Sequence, residues 1–379
     1  MGKPCDDFEL FGLRTAREER IEWDDLDDDE AGLTRSEAMR GQTASATAAT
    51  LVIGLFAAGV GGCDTNVADQ MKEKKQKKQK KVESKQKKAE PEPVSRAKSY
   101  GVVTVTPSKA PGDVVDSLKK AVSASGKLSL MGAFELGSTP SESTGDAGSG
   151  ATPAATVLLV GNPSLGTPLM KKSQSAGLEF PQRMLVWSAD GKTRISVNAP
   201  AYLAVRHRIE KLDLFLGQME DGLAHLIETA TGASIESFPS RRQLGIEPAQ
   251  GFVVAESNNS VSDTVGVLEK KIEESDEMSL LKSIDHAANA ASVDRSLPNT
   301  RLLLVSTPEA SSLVGANPRV GLDLPARIAV WGNRDGEILV AFDDPAYLAE
   351  RHQLSGVEAP VKKLGSRLKK LVDQATKEL

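Results

Sequence analysis

GLEFPQRMLVWSADGKTRISVNAPAYLAVRHRI (Gly177–Ile209) returns 144 to 145 positions later as GLDLPARIAVWGNRDGEILVAFDDPAYLAERHQL (Gly321–Leu354). A match of this length, with a Trp-centred strand and an AYLAxRH ending in both places, marks one folding unit duplicated within the chain. Working outward, Gly101–Val105 matches Gly251–Ala255, and each is followed by apolar residues at helical spacing: Val115, Leu118 and Val122, then Val265, Leu268 and Ile272. A second strand is expected at Leu128–Phe134 and at Met278–Ile284, and a third at Thr156–Val160 and Arg301–Val305. Two more strands flank the Asp190-Gly191 and Asp335-Gly336 turns, where glycine supplies the positive φ of a tight hairpin.

Each copy closes on a helix. Leu216, Met219, Leu223, Leu226, Ile227 and Ala230 reproduce the spacing of Val361, Leu364, Leu368, Leu371, Val372 and Ala375, giving one apolar stripe per copy. The element order is β-α-β-β-β-β-α. The expected fold is therefore α+β, with two antiparallel sheets each covered by two helices. With aromatic residues at 4%, burial rests on aliphatic side chains, with Trp187 and Trp331 as equivalent strand anchors.

Charge is unevenly spread. The chain carries a formal net charge of -5, to which residues 1–50 contribute -7 and the run 71–88 contributes +8. Only two cysteines occur, Cys5 and Cys63, neither within a repeat, so no disulfide framework or Cys-based metal site supports the fold. The apolar run Ala48–Val60 is too short to cross a bilayer comfortably and has the size of a signal-peptide core. It ends in Val60-Gly61-Gly62-Cys63, which resembles the lipobox of bacterial lipoproteins and implies lipidation at Cys63. The acidic stretch Asp24–Glu30 is a poor start for such a signal, whereas Met39-Arg40 is a good one. Residues 1–38 are then a mis-called start or an acidic disordered extension, 39–62 the signal peptide, and 63–97 the lipidated cysteine with a Lys-rich tether. The first repeat follows at 98–232, a linker at 233–250, and the second repeat at 251–379. The lysines of the tether lack interleaved aromatics for base stacking, so no nucleic-acid partner is expected.

GNPSLGTPLM (Gly161–Met170), IDHAANA (Ile284–Ala290), GLDLPARIAVW (Gly321–Trp331) and DPAYLAERH (Asp344–His352) resemble the bacterial family called domain of unknown function 302. The resemblance implies a fold similar to the TATA-box-binding protein and pairing into dimers, here between the two copies of one chain as a pseudo-dimer. It implies little about mechanism.

The copies have diverged in complementary places. The first keeps GNPSLGTPLM but has a Gly/Ser/Thr stretch, Gly137–Gly150, where the second has Asp285-His286-Ala287-Ala288. Either this is neutral loss in a duplicated scaffold, or pairing builds one composite pocket from His286 and Asn162. In the pocket reading, His286 is a general acid/base beside Asp285; otherwise the pair has a surface or capping role. Thr167-Pro168 has the form of a helix start whose free N–H groups suit an anion. Asp344 and Pro345 form another start, cap then first helical position. On that helix Tyr347 and Arg351 share one face, as Tyr202 and Arg206 do in the first copy. Arg351, with Arg183 and Arg327 after the paired prolines, either binds an anionic ligand or latches the helix to the protein's own acceptors. The four histidines are scattered, so no metal site and no cofactor are expected. The resulting expectation is a membrane-anchored envelope protein, a non-enzymatic binding or interaction module for a small anion or an envelope protein. The alternative is a small-molecule enzyme using His286.

Overall fold

A computed structural model describes residues 100–137 and 155–377; the expectations for Cys63, the signal peptide, the tether and most of Gly137–Gly150 lie outside them. The first repeat comprises β1 (Val102–Val105), α1 (Pro111–Ala124), β2 (Ser129–Leu136), β3 (Ala155–Gly161), α2 (Pro163–Lys172), β4 (Gln182–Ala189), β5 (Lys192–Asn198), α3 (Pro200–Arg206) and α4 (Asp213–Thr231). The second comprises β6 (Phe252–Ser257), α5 (Val261–Glu273), β7 (Ser279–Asp285), α6 (His286–Ala291), β8 (Thr300–Ser306), α7 (Glu309–Ala316), β9 (Ala326–Gly332), β10 (Ile338–Asp343), α8 (Pro345–His352) and α9 (Glu358–Ala375).

Both sheets are antiparallel and share one topology, β1-β5-β4-β3-β2 and β6-β10-β9-β8-β7. Register is also shared: Val102 pairs with Asn198 as Phe252 pairs with Asp343. Even the bulges correspond, one between Leu130 and Gly132, the other between Leu280 and Lys282. The expected elements are all present within a residue or two, and the apolar stripes of α1 and α4 bury against Leu158, Val160, Met184, Val186, Ile195 and Val197 on one face of the first sheet. The stripes of α5 and α9 do the same against Leu303, Val305, Ile328, Val330, Val340 and Phe342. At roughly 1.5–3 kcal/mol per buried aliphatic side chain, these two layers supply most of the driving force within each repeat.

The short helices α2, α3, α6, α7 and α8 and the 3-10 turns Gln174–Leu178 and Pro318–Asp323 are additions to the β-α-β-β-β-β-α order. The turns explain how the repeats pair. Gln174–Leu178 lies on β8, β9 and β10 of the second repeat, and Pro318–Asp323 lies on β3, β4 and β5 of the first. Alternation along the strands puts Leu185 and Trp187, and Ala329 and Trp331, on the faces opposite the helices. Those faces would be wet in an isolated repeat. Instead Leu178 packs among Leu302, Leu304, Ala329, Trp331 and Ala341. Val320, Leu322 and Leu324 pack against Leu136, Val157, Leu185 and Trp187. Each repeat thus completes the other's core.

Gly321, which opens the second quoted motif, is required by this exchange. A Cβ on Gly321 would stand 2.8 Å from Leu185 Cδ1 and 2.9 Å from Leu136 Cδ1, inside contact distance. Gly321→Ala is expected to lower stability by about 1–3 kcal/mol, as overpacking does. Gly315→Ala, on α7 with open space around it, is expected to be neutral or stabilising. Urea midpoints of the two variants check this; equal effects would show that the turn does not seat where described.

Candidate functional site

Where the paired turns meet the strand ends, polar residues gather on the buried boundary between repeats. The acids of the two motifs occupy equivalent places at the ends of the turns, Glu179 just after the first and Asp323 as the last residue of the second, and Arg183 and Arg327 follow the equivalent prolines. Arg206 and Arg351 reach in from α3 and α8. Asn198 and Asp343 end β5 and β10. All eight are exposed by 3% or less, so the pairing among them is not screened by water.

Arg327 donates from Nε to Asp343 at 2.5 Å, from Nη1 to Glu179 at 2.9 Å and from Nη2 to Asp323 at 3.0 Å. Arg206 pairs with Glu179 and, at 2.7 Å, with Asp343 of the other repeat. Arg351 pairs with Asp323 at 2.5 Å and donates to Asn198 Oδ1 at 2.6 Å, again across the boundary. Backbone acceptors complete both helix arginines: Arg206 donates to the carbonyls of Gln250 and Gly251, and Arg351 to that of Tyr100. Gly251 has φ +83°, and its backbone lies so close to the Tyr347 ring that a Cβ would fall 2.1 Å from Cδ1, which is how its carbonyl comes to Arg206. The tyrosines meet at the centre, Tyr347 Oη donating to Tyr202 Oη at 3.3 Å, with the Arg351 guanidinium 4.0 Å over the Tyr202 ring.

The electrostatics follow from burial against pairing. Burial pushes the Glu179 carboxyl up, but the Arg327 and Arg206 guanidiniums outweigh it and hold the group well below the usual carboxylate range. Asp323 behaves alike, burial being outweighed by Arg351, a hydrogen bond from His352 and Arg327. The motif histidines sit behind these acids. His352 Nε2 meets Asp323 at 2.6 Å, yet burial dominates and lowers its pKa to about 4. His207, between Ser175 at 2.9 Å and Glu179 at 3.4 Å, is lowered by burial as well. Both imidazoles are therefore neutral near pH 7.

One member breaks the symmetry. Arg183 takes the place of Arg327 in the first repeat, but its cross-strand neighbour is Asn198 where Arg327 has Asp343. Its Nη1 donates to the carbonyls of Leu324 at 2.8 Å and Pro325 at 3.3 Å, and its Nη2 meets no acceptor. Burial, then the like charge of Arg327, lowers its pKa to about 9. Four buried guanidiniums here face three carboxylates.

The sequence candidates thus fall into two groups. Arg183, Arg327, Tyr347 and Arg351 come together in this network, where the arginines act as latches on the protein's own acceptors. The others do not join it. His286 does cross to the other repeat, its Nε2 on the Gly177 carbonyl at 3.1 Å, and burial lowers its pKa to about 4. Asp285 does not orient it: Asp285 accepts from the Ala288 N–H at 2.9 Å as the cap of α6 and pairs with Arg301 at 2.9 Å. Asn162 precedes α2 beside a small apolar cavity of about 60 Å³ lined by Leu128, Leu165, Phe180 and Leu226, and His286 does not reach it. Thr167-Pro168 is not a helix start. The helix begins one turn earlier, with Asn162 before Pro163 in the first position, so Thr167 is fully buried inside it and its N–H faces no solvent. Asp344 and Pro345 do form the expected start, with Asp344 accepting from Ala346 N–H at 2.9 Å.

Glu179, Asp323, Asp343 and the two motif histidines were not singled out by sequence reasoning. The available signal was an acid held between a leucine and a proline-flanked apolar residue in both copies.

This two-copy arrangement has a counterpart among known sequences. The family described as "Domain of unknown function DUF302" matches residues 103–230 and 253–375. The chain belongs to the DUF302 family. Both DUF302 regions coincide with the two repeats, and the α+β architecture with its antiparallel sheets is that of the paired units described above. Among curated proteins, the fluoride-specific ion channel FluC 1 of Brucella suis biovar 1 is 34% identical over 105 residues, covering 27% of this chain and 41% of that protein. FluC 2 of Brucella melitensis biotype 1 is 34% identical over 105 residues, covering 27% and 38%. The chain thus spans about two fifths of the length of these relatives. Among solved structures, an uncharacterized conserved DUF302 protein from Bacillus stearothermophilus is similar at 17% identity with a TM-score of 0.31, covering 34% of this chain and 99% of that one. Among the described residues no helix is long and apolar enough to cross a membrane.

Proposed function

We propose that this DUF302 chain is a membrane-anchored envelope protein, held through lipidated Cys63 and its Lys-rich tether, whose paired repeats form a non-enzymatic binding or interaction module. The observation that supports the non-enzymatic reading is the internal use of the polar groups at the repeat boundary. Acid–base catalysis needs a titrating group within reach of a substrate. His286, His207 and His352 are each exposed by 2% or less and hydrogen-bonded within the protein. The arginines that suit a small anion are engaged with Glu179, Asp323, Asp343 and backbone carbonyls, which favours a protein partner on the outer surface over an anion at the boundary. The segment shared with Brucella proteins named as fluoride-specific ion channels supports a place beside a membrane.

Fractionation of bacterial cells expressing the full chain tests the anchor. The protein is expected in the membrane fraction, with an N-terminal peptide carrying a lipid on Cys63, and Cys63→Ala is expected to move most of it to the soluble fraction. An unchanged distribution with an unmodified cysteine would overturn the anchor. On the enzymatic side, His286→Ala is expected to change stability alone; a turnover lost by that variant at unchanged stability would overturn the non-enzymatic reading.

A further inference from the structure

The internal repeat supplies a control for every surface, and one surface is used in the first copy and left open in the second. After α4 the chain crosses to β6 through the linker, whose 3-10 turn Arg241–Gln243 packs against α3. Leu244 and Ile246 that follow are exposed by 0% and 9%, in one apolar cluster with Ala199, Ala201, Ala204, Ile209 and Leu216. The linker is also fixed by charge. Arg241 donates from Nη1 to the Ile209 carbonyl at 3.1 Å and pairs from Nη2 with Asp213 at 3.1 Å.

The second copy has the same groove, and among the described residues no segment covers it. Between α8 and α9 lies an opening of about 540 Å³ lined by Ala346, Ala349, Leu354, Glu358 and Val361. These stand 145 positions after Ala201, Ala204, Ile209, Asp213 and Leu216. Ala201, Ala204, Ile209 and Leu216 are buried, whereas Ala346 is exposed and Ala349, Leu354 and Val361 are half-buried. The acid that holds Arg241 is matched by Glu358. The two grooves share an alanine floor and one acid at the rim, while Lys362 and Lys369 line the second where Gly217 and Ala224 stand in the first.

We propose that the groove between α8 and α9 docks an extended segment of a partner protein with the pattern Arg-x-x-Leu-x-Ile, the chemistry that Arg241, Leu244 and Ile246 present to the first copy. The leucine and isoleucine lie over Ala346, Ala349 and Val361, and the arginine pairs with Glu358 and the Leu354 carbonyl. A second copy of this chain is not the occupant. Its linker is already buried in its own first repeat, and its end is tied down where Ala249 N–H donates to the Arg206 carbonyl at 2.9 Å. The inference gives the interaction-module reading a surface, and it holds whether or not Cys63 is lipidated.

The test titrates the full chain into a fluorescein-labelled peptide FPSRRQLGIEP, residues 238–248, and follows anisotropy. Saturable binding with Kd below about 1 mM is expected, about tenfold or more weaker with Asp in place of the peptide leucine. Ala349→Glu in the groove floor and Glu358→Lys on the surface are each expected to weaken binding at least tenfold. A peptide with Glu at the position of Arg241 is expected to recover binding to the Glu358→Lys protein, which a merely unfolded variant cannot do. Absence of saturable binding would overturn the proposal. So would binding unchanged by both groove variants but lost on Asp213→Lys, since the peptide would then be displacing the linker from the first copy. Loss of the membrane anchor would leave all these results unchanged.

Discussion

Replacing Arg327 with methionine is expected to cost about 3–5 kcal/mol of stability, while the same change at Arg183, its counterpart in the other repeat, costs no more than about 1 kcal/mol. Arg327 holds three carboxylates, Glu179, Asp323 and Asp343, all buried. Removing it leaves Asp343 with Arg206 alone and exposes the acids to each other's charge in a medium that does not screen it. Arg183 faces only the carbonyls of Leu324 and Pro325 and is repelled by Arg327. Its removal strands two weak acceptors, a loss of about 1–3 kcal/mol, but also relieves a buried cation that has no carboxylate at ion-pair distance, which offsets most of that loss. Urea denaturation of both variants at pH 7 decides the matter. Equal losses would show that the network does not distinguish the two positions.

Mild acid is expected to destabilise the fold more than the acidic side chains alone can explain. His286 and His352 are lowered to about 4 by burial, from an unfolded value near 6.5. The folded state therefore refuses a proton that the unfolded chain accepts between these values. The stability they contribute is complete above pH 6.5 and is lost as pH falls from there towards 4, on the order of 3 kcal/mol for each. The carboxylates act later. Glu179 and Asp323 are held well below their ordinary range, so their contribution is lost only as pH falls beneath that range and through their lowered folded values. Unfolding free energy measured at pH 7.5, 6 and 5 is expected to drop steeply across the interval. His286→Gln and His352→Gln are each expected to flatten the slope, because glutamine does not titrate. A slope unchanged in both would sink the assignment of buried neutral imidazoles.

Most of the architecture was legible because it is written in local patterns. The stripe Leu216–Ala230 and the alternation about Trp187 report helix and strand without knowledge of anything distant. Asp344-Pro345 read correctly for the same reason: a cap is a contact between residues two apart. Thr167-Pro168 misled because Pro163, five residues earlier, carries an equal signal, and only the burial of α2 decides which proline starts the helix. The exchange of the 3-10 turns was invisible, since Leu178 and Trp331 are joined by pairing that no spacing encodes. The asymmetry of the network was hidden on the same ground. Arg183 and Arg327 look identical in sequence, and their difference lies in Asn198 and Asp343, each beside its arginine across a strand pair.

That difference says something about what duplication permits. In a pair of identical single-copy chains meeting about a two-fold axis, any substitution at the axis is made twice. An aspartate changed to asparagine would there remove two negative charges from the centre of four arginines. Joined in one chain, the halves vary separately, and the boundary holds Asn198 on one side and Asp343 on the other. The linker shows the same freedom on the outside of the molecule, covering one groove while no described residue covers its twin. Two unlike faces have thus arisen from one ancestral unit, and a partner that meets this chain can tell its front from its back.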